Sequence, residues 1–199
     1  MKYEFAGETI RYFGITLKRI RATAAIEKFN VAVGDLGGWI EDEKNLDQSG
    51  DAWVYGNAQV YGDARVYGDA RVCGDARVYG NAWVSGDAWV YGDAQVYGNA
   101  WVCGDAWEKS PLYIQGTKYA FYMAAANKVG CGCQVFTFAG WHKFWRKIAA
   151  KFGMTEAEQT EYVSYFNLAC ERYGKLEFKI DLTDGSGDEE PCEDAEGGE

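Results

Sequence analysis

Between residues 50 and 107, apolar and polar positions recur with a fixed period of six. Valine occupies every sixth position from Val54 to Val102, nine in all, and alanine every sixth position from Ala52 to Ala106. Glycine keeps the same interval from Gly50 to Gly104, each time followed by Asp or Asn. A short fixed period means one unit stacking on copies of itself. Valine suits a strand whose side chain points inward, and alanine a crowded interior corner. The Gly-Asp and Gly-Asn pairs supply residues that tolerate left-handed backbone angles at each bend. With three hexads per coil, residues eighteen apart stack and the nine valines fill three coils. Such a prism is only about 15 Å tall, so it needs its flanking segments for stability.

The flanks lose the period. Residues 1–30 alternate around Ile10, Tyr12, Ile15, Leu17 and Ile20, which predicts two or three strands with a turn at Gly14. Gly34, Gly37 and Gly38 mark a tight turn before Trp39 and Ile40, and no GK[ST] or GxGxxG follows that would make it a phosphate cradle. This segment is expected to plug the first coil, because an open end exposes unpaired strand edges. Residues 110–138 read as three strands, at about 111–115, 118–124 and 133–138. Trp141, Phe144, Trp145, Ile148 and Phe152 then recur at helical spacing, with Lys143, Arg146, Lys147 and Lys151 on the other face as a solvated basic stripe. Gly153 ends that helix. Thr155 and Glu158 form a capping box for a second helix to about Tyr173, with Tyr162, Phe166, Ala169 and Tyr173 on one face. Residues 175–182 look like a final strand.

The repeat register sorts the outward residues onto three flat faces. One carries Trp53, Arg71 and Trp89 beside Tyr55, Cys73 and Tyr91. A second carries Gln59, Arg77 and Gln95 beside Tyr61, Tyr79 and Tyr97. The third carries Arg65, Trp83 and Trp101 beside Tyr67, Ser85 and Cys103. The tryptophans either stabilise the ladder by stacking or form an oligomer or cap interface, with Trp53, Trp83, Trp89 and Trp101 as its residues. The second face is the candidate recognition surface, through Gln59, Tyr61, Arg77, Tyr79, Gln95 and Tyr97.

Charge and cysteine content narrow the classes. The formal charge is −10, and residues 184–199 hold eight acidic residues and no basic ones. The remaining acidic residues nearly balance the twenty basic ones. That tail is expected to be disordered and solvating. The six cysteines follow no disulfide framework, and Cys131-Gly-Cys133 is too close-spaced and isolated for a zinc site. No metal or cofactor is expected. No signal peptide opens the chain and no run approaches the roughly 20 apolar residues of a membrane span, so a cytoplasmic setting is expected.

The repeat V-[YCS]-G-[DN]-A-x resembles the hexapeptide repeat of left-handed parallel β-helices, with glycine two places after the aliphatic residue rather than one. The order of segments is also similar to a family of phage- and prophage-borne hexapeptide-repeat proteins. The matching stretches are GDLGGWIEDEKNLDQSGDAWVYGNAQV (35–60), SPLYIQGTKY (110–119), VGCGCQVFTFAGW (129–141) and MTEAEQTEYVSYFNLA (154–169). Members are often labelled acyltransferases, a label that rests on the β-helix. The resemblance implies a mobile-element origin and the cytoplasm of an infected bacterium. Many relatives have His where this chain has Phe136.

The fold expected is mainly β. It comprises an N-terminal β segment and cap (1–49), a left-handed β-helix of about three coils (50–107), a C-terminal α+β domain with two helices (108–183) and the tail (184–199). β-Helix acyltransferases usually use a histidine base near a loop extruded from the coils. Here the repeat has neither insertion nor histidine, and the single histidine, His142, falls in the first helix. No catalytic residue is expected. The favoured reading is a non-catalytic, oligomeric binding protein whose partner is a host protein, such as an antiviral-defence component. Nucleic acid is not an expected partner. The alternatives are an acyltransferase, or sequestration of a small nucleotide-like ligand between subunits by Arg65, Arg71 or Arg77.

Overall fold

The computed structural model describes residues 1–182; the acidic tail lies outside them. The described chain separates into two compact units, one spanning Met1–Thr137 and the other starting at Phe138.

The first unit is a stack of parallel β coils, as the period of six requires. Its three interior columns are Ile40–Val60–Val78–Val96, Leu46–Val66–Val84–Val102 and Val54–Val72–Val90–Trp107. Every column member but Trp107 is at most 1% exposed, and the repeat alanines from Ala52 to Ala100 are equally buried at the corners. Each repeat glycine from Gly50 to Gly104 has positive φ, the conformation a Cβ disfavours.

There are therefore four layers, not three. The fourth comes from residues the period misses. Leu36–Ile40, expected to be part of a plug, forms strand β3, which pairs in parallel with residues 59–60 and supplies the first rung. Leu46 bridges to Val66 as the second corner of that rung. Eight residues separate Leu46 from Val54 and five separate Val102 from Trp107, so the coil absorbs irregular lengths at both ends while its interior columns stay aligned. Gly37 and Gly38 permit this entry. A Cβ on Gly38 would lie 2.7 Å from the Ala58 carbonyl oxygen.

The ends are closed by antiparallel sheet. Strands β1 (Tyr3–Tyr12) and β2 (Ile15–Ala22) form a hairpin turning at Phe13 and Gly14, both with positive φ. β2 pairs with β3, so the hairpin extends one face into a six-stranded sheet. Its Tyr3, Leu17 and Ile20 are buried at the first rung. At the other end, residues 113–137 form a four-stranded meander, not the three strands expected. The missed strand is Lys128–Cys131, whose Gly130 lets the Tyr122 ring lie across the backbone. The strand Ala120–Ala125 is wholly buried. This meander belongs to the same compact unit as the coils, so the break in the chain falls at Thr137 and not near residue 107.

The second unit contains helix α1 (Phe138–Lys151) and helix α2 (Glu156–Arg172). Trp141, Trp145 and Ile148 are buried, as are Tyr162, Phe166 and Ala169. The Thr155 and Glu158 capping box forms as the sequence predicts. Residues 175–182 do not make a strand. Leu176–Phe178 is a 3-10 turn, and the Asn167 side chain hydrogen-bonds both the N–H and the carbonyl of Ile180. A side-chain amide thus takes the place of a neighbouring strand.

Candidate binding surfaces of the coil stack

The second face of the prism carries the outward column Trp39, Gln59, Arg77 and Gln95. Beside it the Tyr61 and Tyr79 rings stack at 5.2 Å and 5°, and Tyr79 and Tyr97 at 5.5 Å and 14°. Parallel strands put identical side chains one rung apart, and flat rings fill that spacing. Two residues that the repeat register could not reveal extend the column. Tyr12, from the hairpin, sits 5.7 Å from Tyr61, and Tyr113, from the meander, sits 5.2 Å from Tyr97. Five tyrosines therefore run from one cap to the other. All six residues predicted for this site lie together, each half-buried.

Its electrostatics are those of a partly dehydrated surface. Burial, reinforced by Tyr12 and Tyr79, pushes the Tyr61 phenol up to about 12. Tyr79 is also raised, chiefly by burial, and its hydroxyl donates to Gln95 Oε1 at 3.1 Å. The Arg77 guanidinium lies 5.3 Å from the Tyr12 ring centroid. Among the described residues, Arg77 Nε and Gln59 Oε1 are buried and have no hydrogen-bond partner.

The four predicted interface tryptophans part company. Trp53 is 1% exposed and meets Tyr3 edge-on at 6.4 Å, so it belongs to the chain's own cap and is closed to a second subunit. Trp89 is half-buried, with the Arg71 guanidinium 4.5 Å from its ring and Phe29 5.0 Å from the same cation. Trp83 and Trp101 stay open, at 43% and 39% exposure. Their rings meet edge-on at 6.4 Å, and the Trp101 indole N–H donates to Ser85 Oγ at 3.1 Å. Phe29 and Trp39 were missed because they lie outside the period, with no local signal of where their rings would land.

His142 Nδ1 lies 2.9 Å from the Phe178 carbonyl oxygen, tying α1 to the 3-10 turn. Burial pushes the Cys170 thiol up to about 11, the opposite of an activated nucleophile. Among the described residues, no group of His, Cys, Asp and Glu is placed to hold a metal, and no helix is long and apolar enough to cross a membrane.

A family model described as the YdcK beta solenoid repeat matches residues 58–74, 70–86, 76–92 and 94–109. The repeat is a β-solenoid. That match covers most of the regular repeat from residue 58 on, while the solenoid itself begins earlier, at Trp39 and Ile40. Comparison with curated proteins gives no match.

Proposed function

We propose that this β-solenoid is a non-catalytic binding protein that recognises another protein through its tyrosine-laddered face. The observation that carries the reading is the unbroken stack Tyr12–Tyr61–Tyr79–Tyr97–Tyr113 beside Arg77. Tyrosine, tryptophan and arginine are the residue types enriched at the centres of protein interfaces. Rings already stacked lose little conformational freedom on docking. The resemblance to phage-borne proteins makes a bacterial host factor, such as an antiviral-defence component, the partner class of choice.

The test is affinity capture from bacterial lysate with the wild-type chain and with a Tyr79→Ala/Arg77→Ala variant, followed by mass spectrometry. A protein recovered by the first and lost by the second supports the reading. Undiminished capture by the variant, or turnover of acyl-CoA by the purified protein, overturns it.

A further inference from the structure

The geometry points to a second binding site, for a neutral saccharide chain, in the cleft between residues 43–48 and the Trp83 face. The cleft encloses about 660 Å³, and Leu46 and Val66 lie beneath it. This falls within the size range of small-molecule sites and exceeds what one sugar ring fills. Its working walls are Glu43, Asp47, Gln48, Arg65, Tyr67 and Trp83.

The aromatic wall is rigid and open. The Tyr67 and Trp83 rings meet at 6.0 Å and 85°, forming an L-shaped corner. Trp83 is in turn braced by Trp101, whose own indole is anchored to Ser85. An exposed, immobilised indole face carries a negative quadrupole that attracts the polarised C–H groups of a sugar ring. Trp101, one rung beyond the cleft, meets Trp83 edge-on and offers a second, angled ring to the next sugar of a chain.

The polar wall is mixed in sign. Glu43 and Asp47 share the lining with Arg65 and Lys44, the last paired with Asp63 at 2.7 Å. The two carboxylates and two cations give an ionic ligand no net attraction, whereas a neutral polyol can use both acceptors and donors. Its hydroxyls donate to the carboxylates and accept from Arg65 and the Gln48 amide. Among the described residues, neither the Glu43 carboxylate nor the Arg65 guanidinium makes a side-chain hydrogen bond or ion pair; Arg65 only overlies Trp83, 5.8 Å from its ring centroid. Both are exposed, so their hydrogen-bonding capacity is available to a ligand.

The test titrates the whole chain with cellotriose, maltotriose, chitotriose and xylotriose, and with anionic oligogalacturonate as the charged comparison, reading tryptophan fluorescence and calorimetric heat. Saturable binding of at least one trisaccharide is expected. Trp83→Ala should abolish it, and Glu43→Ala and Arg65→Ala should each weaken it about tenfold, the loss of one charge-assisted hydrogen bond. Glu43 and Arg65 are surface residues, so their variants keep the test valid even where Trp83→Ala misfolds. Trp89→Phe, on another face, should bind as wild type. Absence of saturable binding across the panel, wild-type affinity in both Glu43→Ala and Arg65→Ala, or preference for anionic oligogalacturonate overturns the proposal.

Discussion

The Tyr3 phenol donates to the Leu46 carbonyl oxygen at 2.9 Å, spanning 43 residues of sequence to lock the hairpin cap onto the first coil. The same hydroxyl is 3.2 Å from the Glu43 carbonyl oxygen, and Tyr3 is 1% exposed. Tyr3→Phe removes the donor to the buried Leu46 carbonyl, while the Glu43 carbonyl keeps the Leu46 N–H, at an expected cost of about 1–3 kcal/mol. Tyr3→Ala also opens a cavity against Trp53 and should cost about 3–5 kcal/mol. Urea denaturation checks both, and a Tyr3→Phe variant as stable as wild type would show that packing alone holds the cap.

The tyrosine ladder separates stacking from hydrogen bonding. Tyr79 stacks on both Tyr61 and Tyr97. Tyr79→Ala should lose two ring pairs, at about 0.5–1.5 kcal/mol each beyond lost burial. Tyr79→Phe keeps both stacks and loses the bond to Gln95, a change of about 1 kcal/mol or less. Thermal unfolding of the two variants should rank them in that order.

Two corner glycines test close stacking against backbone angle. Gly56 has φ +56° and nothing within 4 Å of an added Cβ, so Gly56→Ala should cost about 1–2 kcal/mol from the left-handed conformation alone. Gly74 has φ +71°, and its Cβ would lie 3.0 Å from the Gly92 backbone nitrogen and oxygen. Gly74→Ala should therefore be the more damaging by at least about 1 kcal/mol. Equal melting temperatures for the two variants would contradict the close rung-to-rung contact.

Alkaline pH should unfold the protein through its buried phenols. Burial raises Tyr61 and Tyr122 to about 12, from an ordinary value of 10.0. Between those values the unfolded chain releases protons that the folded chain keeps, so stability present below pH 10 is lost as pH rises towards 12. Lys2 acts oppositely and earlier. Burial lowers it from 10.5 to about 8, so its contribution to stability rises with pH between those values. Denaturation between pH 7 and 12 should show this for wild type, with Tyr61→Phe and Tyr122→Phe each flattening the fall above pH 10.

The regular coils were legible because period-six valine, alanine and glycine state a local geometry and repeat it. The helices were legible from periodicity and the Thr155 capping box. The first rung was not: Ile40 and Leu46 lie twenty residues from Val60 and Val66, outside the eighteen-residue spacing. Nor was strand Lys128–Cys131, which carries one glycine and one cysteine where alternation would show. Residues 175–182 alternate like a strand but have an Asn167 side chain as their partner.

The sequence by itself determined the coil, its inward columns and the grouping of Gln59, Tyr61, Arg77, Tyr79, Gln95 and Tyr97, because a strict repeat converts residue number directly into position. Only the tertiary structure decided what covers each face. Trp53 and Trp83 hold equivalent places before their valines, yet one is buried by Tyr3 and the other is 43% exposed. Burial depends on segments far away in the chain that fold back over the ends, and no local pattern encodes which rung they reach.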